Sequence, residues 1–131
     1  MKNHRDELPR IVDALQEFGV EQDWPQDLSF RVHLVVEEVI LNIMDYGFDS
    51  GTHLIDLNIF SEPDALTLEF IDGGKPFDPL TQGPHPDIQA PIDDRPVGGL
   101  GIYLSLTMMD HASYRRENNK NHLTLIAKRE E

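Results

Sequence analysis

The spacing of apolar residues along this chain switches from a helical to a strand period, breaks down, and then repeats the two in turn. Leu8, Ile11, Val12, Leu15 and Phe18 recur three and four apart, which predicts a helix over about residues 7–18 that Gly19 stops. The connector "QDWPQD" follows. Pro25 suits the first turn of a second helix, which runs to about Tyr46 and ends at Gly47. The end of that helix, "VEEVILNIMDYGF" over residues 35–47, is apolar nearly all the way round, through Val35, Val36, Val39, Ile40, Leu41, Ile43 and Met44. A helix of that kind is normally buried. Glu37, Glu38, Asn42 and Asp45 therefore need a reason, because a buried carboxylate or amide is costly unless something satisfies it.

The turn "DSGTH" ends the helical period. In "HLIDLNIF", Ile55, Leu57 and Ile59 alternate with Asp56 and Asn58, and in "ALTLEFID" Leu66, Leu68 and Phe70 alternate again; both predict strands, joined by the turn "SEPD". Residues 75–97 have no sustained period and hold six of the nine prolines. A loop beyond roughly 15 residues is uncommon in a compact domain and is usually functional, so this one reads as a lid. The following "GGLGIYLSLTMMD" is a glycine-started apolar helix, and "HASYRRE" and "HLTLIAKR", separated by "NNKN", predict a hairpin. The order helix, helix, strand, strand, loop, helix, strand, strand implies an α/β two-layer sandwich. Its helices cover one face of a mainly antiparallel mixed sheet.

Composition narrows the field. The 131 residues suit one compact domain spanning 1–131. A formal charge of -13, from 11 Lys and Arg against 24 Asp and Glu, argues against direct nucleic-acid binding. Cysteine is absent, which excludes disulfides, thiolate metal sites and cysteine nucleophiles. The polar start "MKNHRDELPR" does not read as a signal peptide and no apolar run reaches membrane-spanning length, so the expectation is a cytoplasmic protein with no membrane partner.

Three stretches carry chemistry, and each has a bland reading beside it. Glu38 and Asn42 are four apart and so project from one helix face, with Asp45 one further turn along. An amide oxygen suits Mg²⁺, and a carboxylate one turn away can take a proton from an attacking hydroxyl. Alternatively, Glu38 caps the apolar surface and Asn42 bonds to a neighbouring turn. In "FIDGGKPFDP", Asp72 at a strand end can accept a hydrogen bond from an exocyclic amine, although Asp-Gly is equally a stock turn. In "VGGLGIYL", bare amides at a helix start can meet an anion, or the glycines simply allow close packing. The six histidines form no H-E-x-x-H pattern.

Taken in order, these stretches resemble the GHKL ATPase superfamily: Glu-x-x-x-Asn on a helix, Asp-x-Gly-x-Pro after a strand, a long lid, and Gly-Gly-Leu-Gly at a helix start. The details "EEVILNIMDYGF", "DGGKPFDP" and "GGLGIYL" look like bacterial anti-sigma-factor serine/threonine kinases, and the likeness covers nearly the whole chain. The resemblance implies a Bergerat-type fold with ATP and Mg²⁺ as cofactors. Asn42 would ligate the Mg²⁺ that bridges the phosphates, and Glu38 would be the catalytic base. Asp72 would bind the adenine amine, and Gly74 would let the base lie against the backbone. Gly98, Gly99 and Gly101 would form the phosphate-facing turn under the lid. Lys75 and Arg95 are the nearby cations, Arg95 being separated from Gly98 by Pro96 and Val97. Asp45 would add a negative charge near the phosphates unless the metal or a lysine offset it. The implied activity is phosphorylation of a serine or threonine on an antagonist resembling an anti-anti-sigma factor, with a sigma factor as a further partner and a homodimer as the assembly. The rival is a non-catalytic module that senses ATP or ADP and switches a protein partner.

Overall fold

The computed structural model describes residues 1–46, 53–76 and 108–129. A short 3₁₀ turn, Arg5–Glu7, leads into α1, Leu8–Glu21, and α2 spans Gln26–Tyr46. The strands are β1 (Ile55–Ser61), β2 (Ala65–Asp72), β3 (His111–Glu117) and β4 (Lys120–Lys128). They form one sheet in the order β1-β2-β4-β3, and every described pairing is antiparallel. The expected α/β two-layer arrangement is thus present.

One sheet face supplies the core. Ile55 on β1, Leu66, Leu68 and Phe70 on β2, and Leu123, Leu125 and Ala127 on β4 are buried in one cluster with Val32, Val35, Val36, Val39, Ile40 and Ile43 of α2 and Ile11 and Leu15 of α1. Period two in the strands and 3.6 in the helices aim these side chains at one layer. The opposite face of the sheet is wetter: Asp56, Asn58 and Phe60 on β1 are exposed.

Three local expectations are corrected. Gly19 does not stop α1, which runs on to Glu21. The helix closes instead at Asp23, whose φ of 54° puts it in the left-handed region, while the Trp24 amide donates to the Gly19 carbonyl at 3.0 Å and the Asp23 amide to the Val20 carbonyl at 3.2 Å. Those two bonds are a Schellman closure. Gly19 serves packing: a Cβ there would lie 2.8 Å from Cε3 of the Trp24 ring. That ring is buried, stands edge-on to Phe18 at 5.5 Å, and donates from Nε1 to Ser61 Oγ at 3.1 Å, joining the helices to β1.

The hairpin is tighter than "NNKN" suggested. Only Asn118 and Asn119 turn, with φ of 54° and 61°, the two positive values of a type I′ turn, in which Asn is favoured. Lys120 and Asn121 belong to β4, where Lys120 pairs with Glu117. The helix expected through residue 110 does not reach Met108–Asp110, which form a turn before β3. That turn is tied to α2 by Arg31, which donates to the Met108 carbonyl at 3.1 Å.

Candidate nucleotide site

The last inward-facing position of β2 is occupied by Asp72 rather than by another apolar residue. The antiparallel register sets it opposite Asn121 on β4, and Asn121 in turn opposite Arg116 on β3. Leu66, Leu68 and Phe70 share a face with Asp72, and Leu123, Leu125 and Ala127 share one with Asn121. The apolar layer therefore ends in a polar row in which Asp72 and Asn121 are 5% and 4% exposed.

Each partner in that row has a defined role. Asp72 Oδ1 accepts from the Gly74 amide at 2.9 Å and from Asn121 Nδ2 at 3.0 Å. Asn121 Nδ2 also donates to the Lys75 carbonyl at 2.8 Å, and its Oδ1 accepts from the Tyr114 hydroxyl. Arg116 donates to the Gly74 carbonyl at 2.8 Å. Residues 72–75 are thereby held on both sides of the turn. The Asp-Gly turn of the bland reading is real, and it consumes only one carboxylate oxygen. Among the described residues no donor reaches Asp72 Oδ2. Oδ2 is not among the described polar atoms sealed from solvent without a partner, so a donor from outside the chain can reach it, and an ionised carboxylate can only accept.

Sequence reasoning missed Asn121, Tyr114 and Arg116. The signal for Asn121 was present: counting back in twos from Leu125 and Leu123 lands on it. Tyr114 and Arg116 had no local signal, because β3 is otherwise exposed.

The second group stands on α2. Asn42 is 6% exposed, yet its side chain makes no hydrogen bond among the described residues. It is not among the buried polar atoms sealed from solvent without a partner, which are His33 Nε2 and His122 Nδ1. Its amide therefore keeps a small opening through which a ligand can reach it. Glu38, one turn earlier, is half-buried and shares no hydrogen bond with the Asp72 network. The bland reading of Asn42, a bond to a neighbouring turn, finds no such bond among the described residues.

A neutral, unpartnered amide oxygen fits Mg²⁺, which keeps several waters and shares phosphate oxygens instead of needing a protein cage. Gly98, Gly99, Gly101, Arg95 and the part of the expected lid beyond Pro76 lie outside the described residues. Lys75 is described, and it enters the network through its main-chain carbonyl. Asp45 is ion-paired with an arginine: Arg5 Nη2 reaches Oδ1 at 2.9 Å and Oδ2 at 3.0 Å.

Comparison with known proteins identifies the family. The family profile described as a histidine kinase-like ATPase domain matches residues 1–127. The chain is also similar to the serine/threonine-protein kinase BtrW of Bordetella bronchiseptica, at 31% identity over 114 residues, covering 86% of this chain and 80% of that protein.

Proposed function

Because the chain belongs to the histidine kinase-like ATPase domain family of GHKL type, we propose that it is a nucleotide-dependent regulatory serine/threonine kinase. Its substrate in this reading is a small antagonist protein of the anti-anti-sigma kind, and a sigma factor is a further partner that it sequesters. One observation carries the nucleotide reading: Asp72 Oδ1 is saturated by two protein donors while the described residues leave Oδ2 without one. An oriented acceptor at the end of an apolar layer matches the exocyclic amine of adenine, with the ring against the backbone at Gly73 and Gly74. An added Cβ at Gly73 would meet nothing within 4 Å.

The other roles follow from residue chemistry. Asn42 would hold Mg²⁺, which when bound neutralises phosphate charge. Glu38 stands one helical turn away and accepts the proton of the attacking hydroxyl. Gly98, Gly99 and Gly101, outside the described residues, are assigned to the phosphates by the family resemblance alone. Phosphoryl transfer asks mainly for positioning and charge neutralisation, and this small set meets that demand. The name of the relative from Bordetella bronchiseptica supports kinase activity over mere sensing.

Two measurements test the reading. Titration with ATP and with inosine triphosphate, which lacks the exocyclic amine, should show ATP bound at least 10-fold more tightly. Equal affinity would remove Asp72 from adenine recognition. Incubation with γ-labelled Mg-ATP and candidate antagonists should place label on a serine or threonine. Nucleotide binding with no labelled partner would favour the ATP- or ADP-gated binding module.

A further inference from the structure

The first residues of the chain are bound to the edge of the sheet. Ile55 donates to the Met1 carbonyl at 2.7 Å while the Met1 ammonium donates to the Ile55 carbonyl at 2.9 Å. The Asn3 amide donates to the His53 carbonyl at 3.0 Å, and the His53 amide to Asn3 Oδ1 at 2.8 Å. Lys2 and Leu54 complete the antiparallel bridge. This ladder fixes where Arg5 stands. Its side chain crosses to the end of α2 and clasps both oxygens of Asp45, a residue 40 positions away.

An exposed ion pair of this kind adds little to stability, and here the two side chains are 67% and 42% exposed. Its place is more informative. Asp45 follows Asn42 by three residues, so the two side chains are neighbours on the same helix face. Without Arg5, Asp45 would set a bare carboxylate beside any phosphate held at Asn42, in a chain already carrying a formal charge of -13. We infer that Arg5 is a positioning residue of the nucleotide site: it holds and neutralises Asp45, so that the docked N-terminal segment sets the affinity for the phosphates. The inference rests on the assignment of Asn42 to the phosphate end of the nucleotide. By linkage, nucleotide and the docked N-terminus then stabilise each other.

The test is a four-protein cycle read by calorimetric titration with Mg-ATP, with adenosine as the phosphate-free control. Arg5→Ala should weaken Mg-ATP about 3- to 10-fold, the scale of one unit charge acting near a protein surface, and leave adenosine affinity unchanged. Asp45→Asn should bind Mg-ATP as tightly as wild type or more tightly. The double variant should recover wild-type affinity, because the charge that needed an offset is gone. An Arg5→Ala protein that matches wild type overturns the inference. So does a double variant as weak as Arg5→Ala, since the defect would then be displacement of the segment and not charge. Loss of adenosine affinity in Arg5→Ala would likewise mean general damage. If wild type takes up no Mg-ATP, the nucleotide reading itself falls; if it binds and the cycle shows no rescue, only the role of Arg5 falls.

Discussion

Asp72 illustrates how one carboxylate divides its work. Oδ1 holds the turn through the Gly74 amide and Asn121, and no donor among the described residues reaches Oδ2. Asp72→Asn is expected to weaken ATP about 10-fold or more, because an amide can present N–H where the adenine amine needs an acceptor. Titration measures this directly, and unchanged affinity would contradict the adenine assignment. Glu38→Ala separates chemistry from binding. A general base acts on the attacking hydroxyl, so nucleotide affinity should stay within a few-fold while transfer to the partner slows by roughly 10²-fold or more. Glu37 points about 100° away round the helix and lacks the four-residue relation to Asn42, which makes Glu37→Ala the control expected to keep activity. A Glu38→Ala protein that labels its partner at the wild-type rate would exclude Glu38 as the base.

Elements here are closed by side-chain choices that simple breaker rules misread. Gly19 looks like a helix stop, but it lies inside α1 because the Trp24 ring needs the space of a missing Cβ. Gly19→Ala brings two opposed effects. Alanine favours the helix by about 1 kcal/mol, whereas a contact of 2.8 Å forces the indole out of its place between Phe18 and Ser61. Overpacking of a buried, hydrogen-bonded ring typically costs about 1–3 kcal/mol. The expected net is a loss of about 0–2 kcal/mol in urea unfolding, and a more stable variant would show that Trp24 can give way cheaply. In β4 the alternation that buries Leu123, Leu125 and Ala127 also buries Asn121. The strand therefore begins earlier than its polar start suggests, since a buried Asn bonded to Asp72, Lys75 and Tyr114 is as much a part of the layer as a leucine.

At the scale of the whole molecule the dominant quantity is charge. A protein of formal charge -13 that takes up a polyanion needs cations at the contact. Mg-ATP should therefore raise the unfolding temperature by mass action, and ATP with EDTA should raise it far less. Equal shifts in both conditions would remove Asn42 from metal binding. No helix among the described residues is long and apolar enough to cross a membrane.

Periodicity, a matter of neighbours within four residues, was enough to place both described helices and all four described strands and to mark Asn42 as an amide in an apolar helix, while Asp72 stood out by its place between a strand and two glycines. It works because burial of one face is decided by where each Cβ points, which local geometry dictates. Asn121 reaching Asp72 across 49 residues, Trp24 filling the space at Gly19, and Arg5 meeting Asp45 across 40 residues were settled only by the packed structure. The first and last of those contacts depend on strand register and on how the N-terminal segment docks against β1. Both are set by the packing of the whole sheet and its helices, which no local pattern encodes.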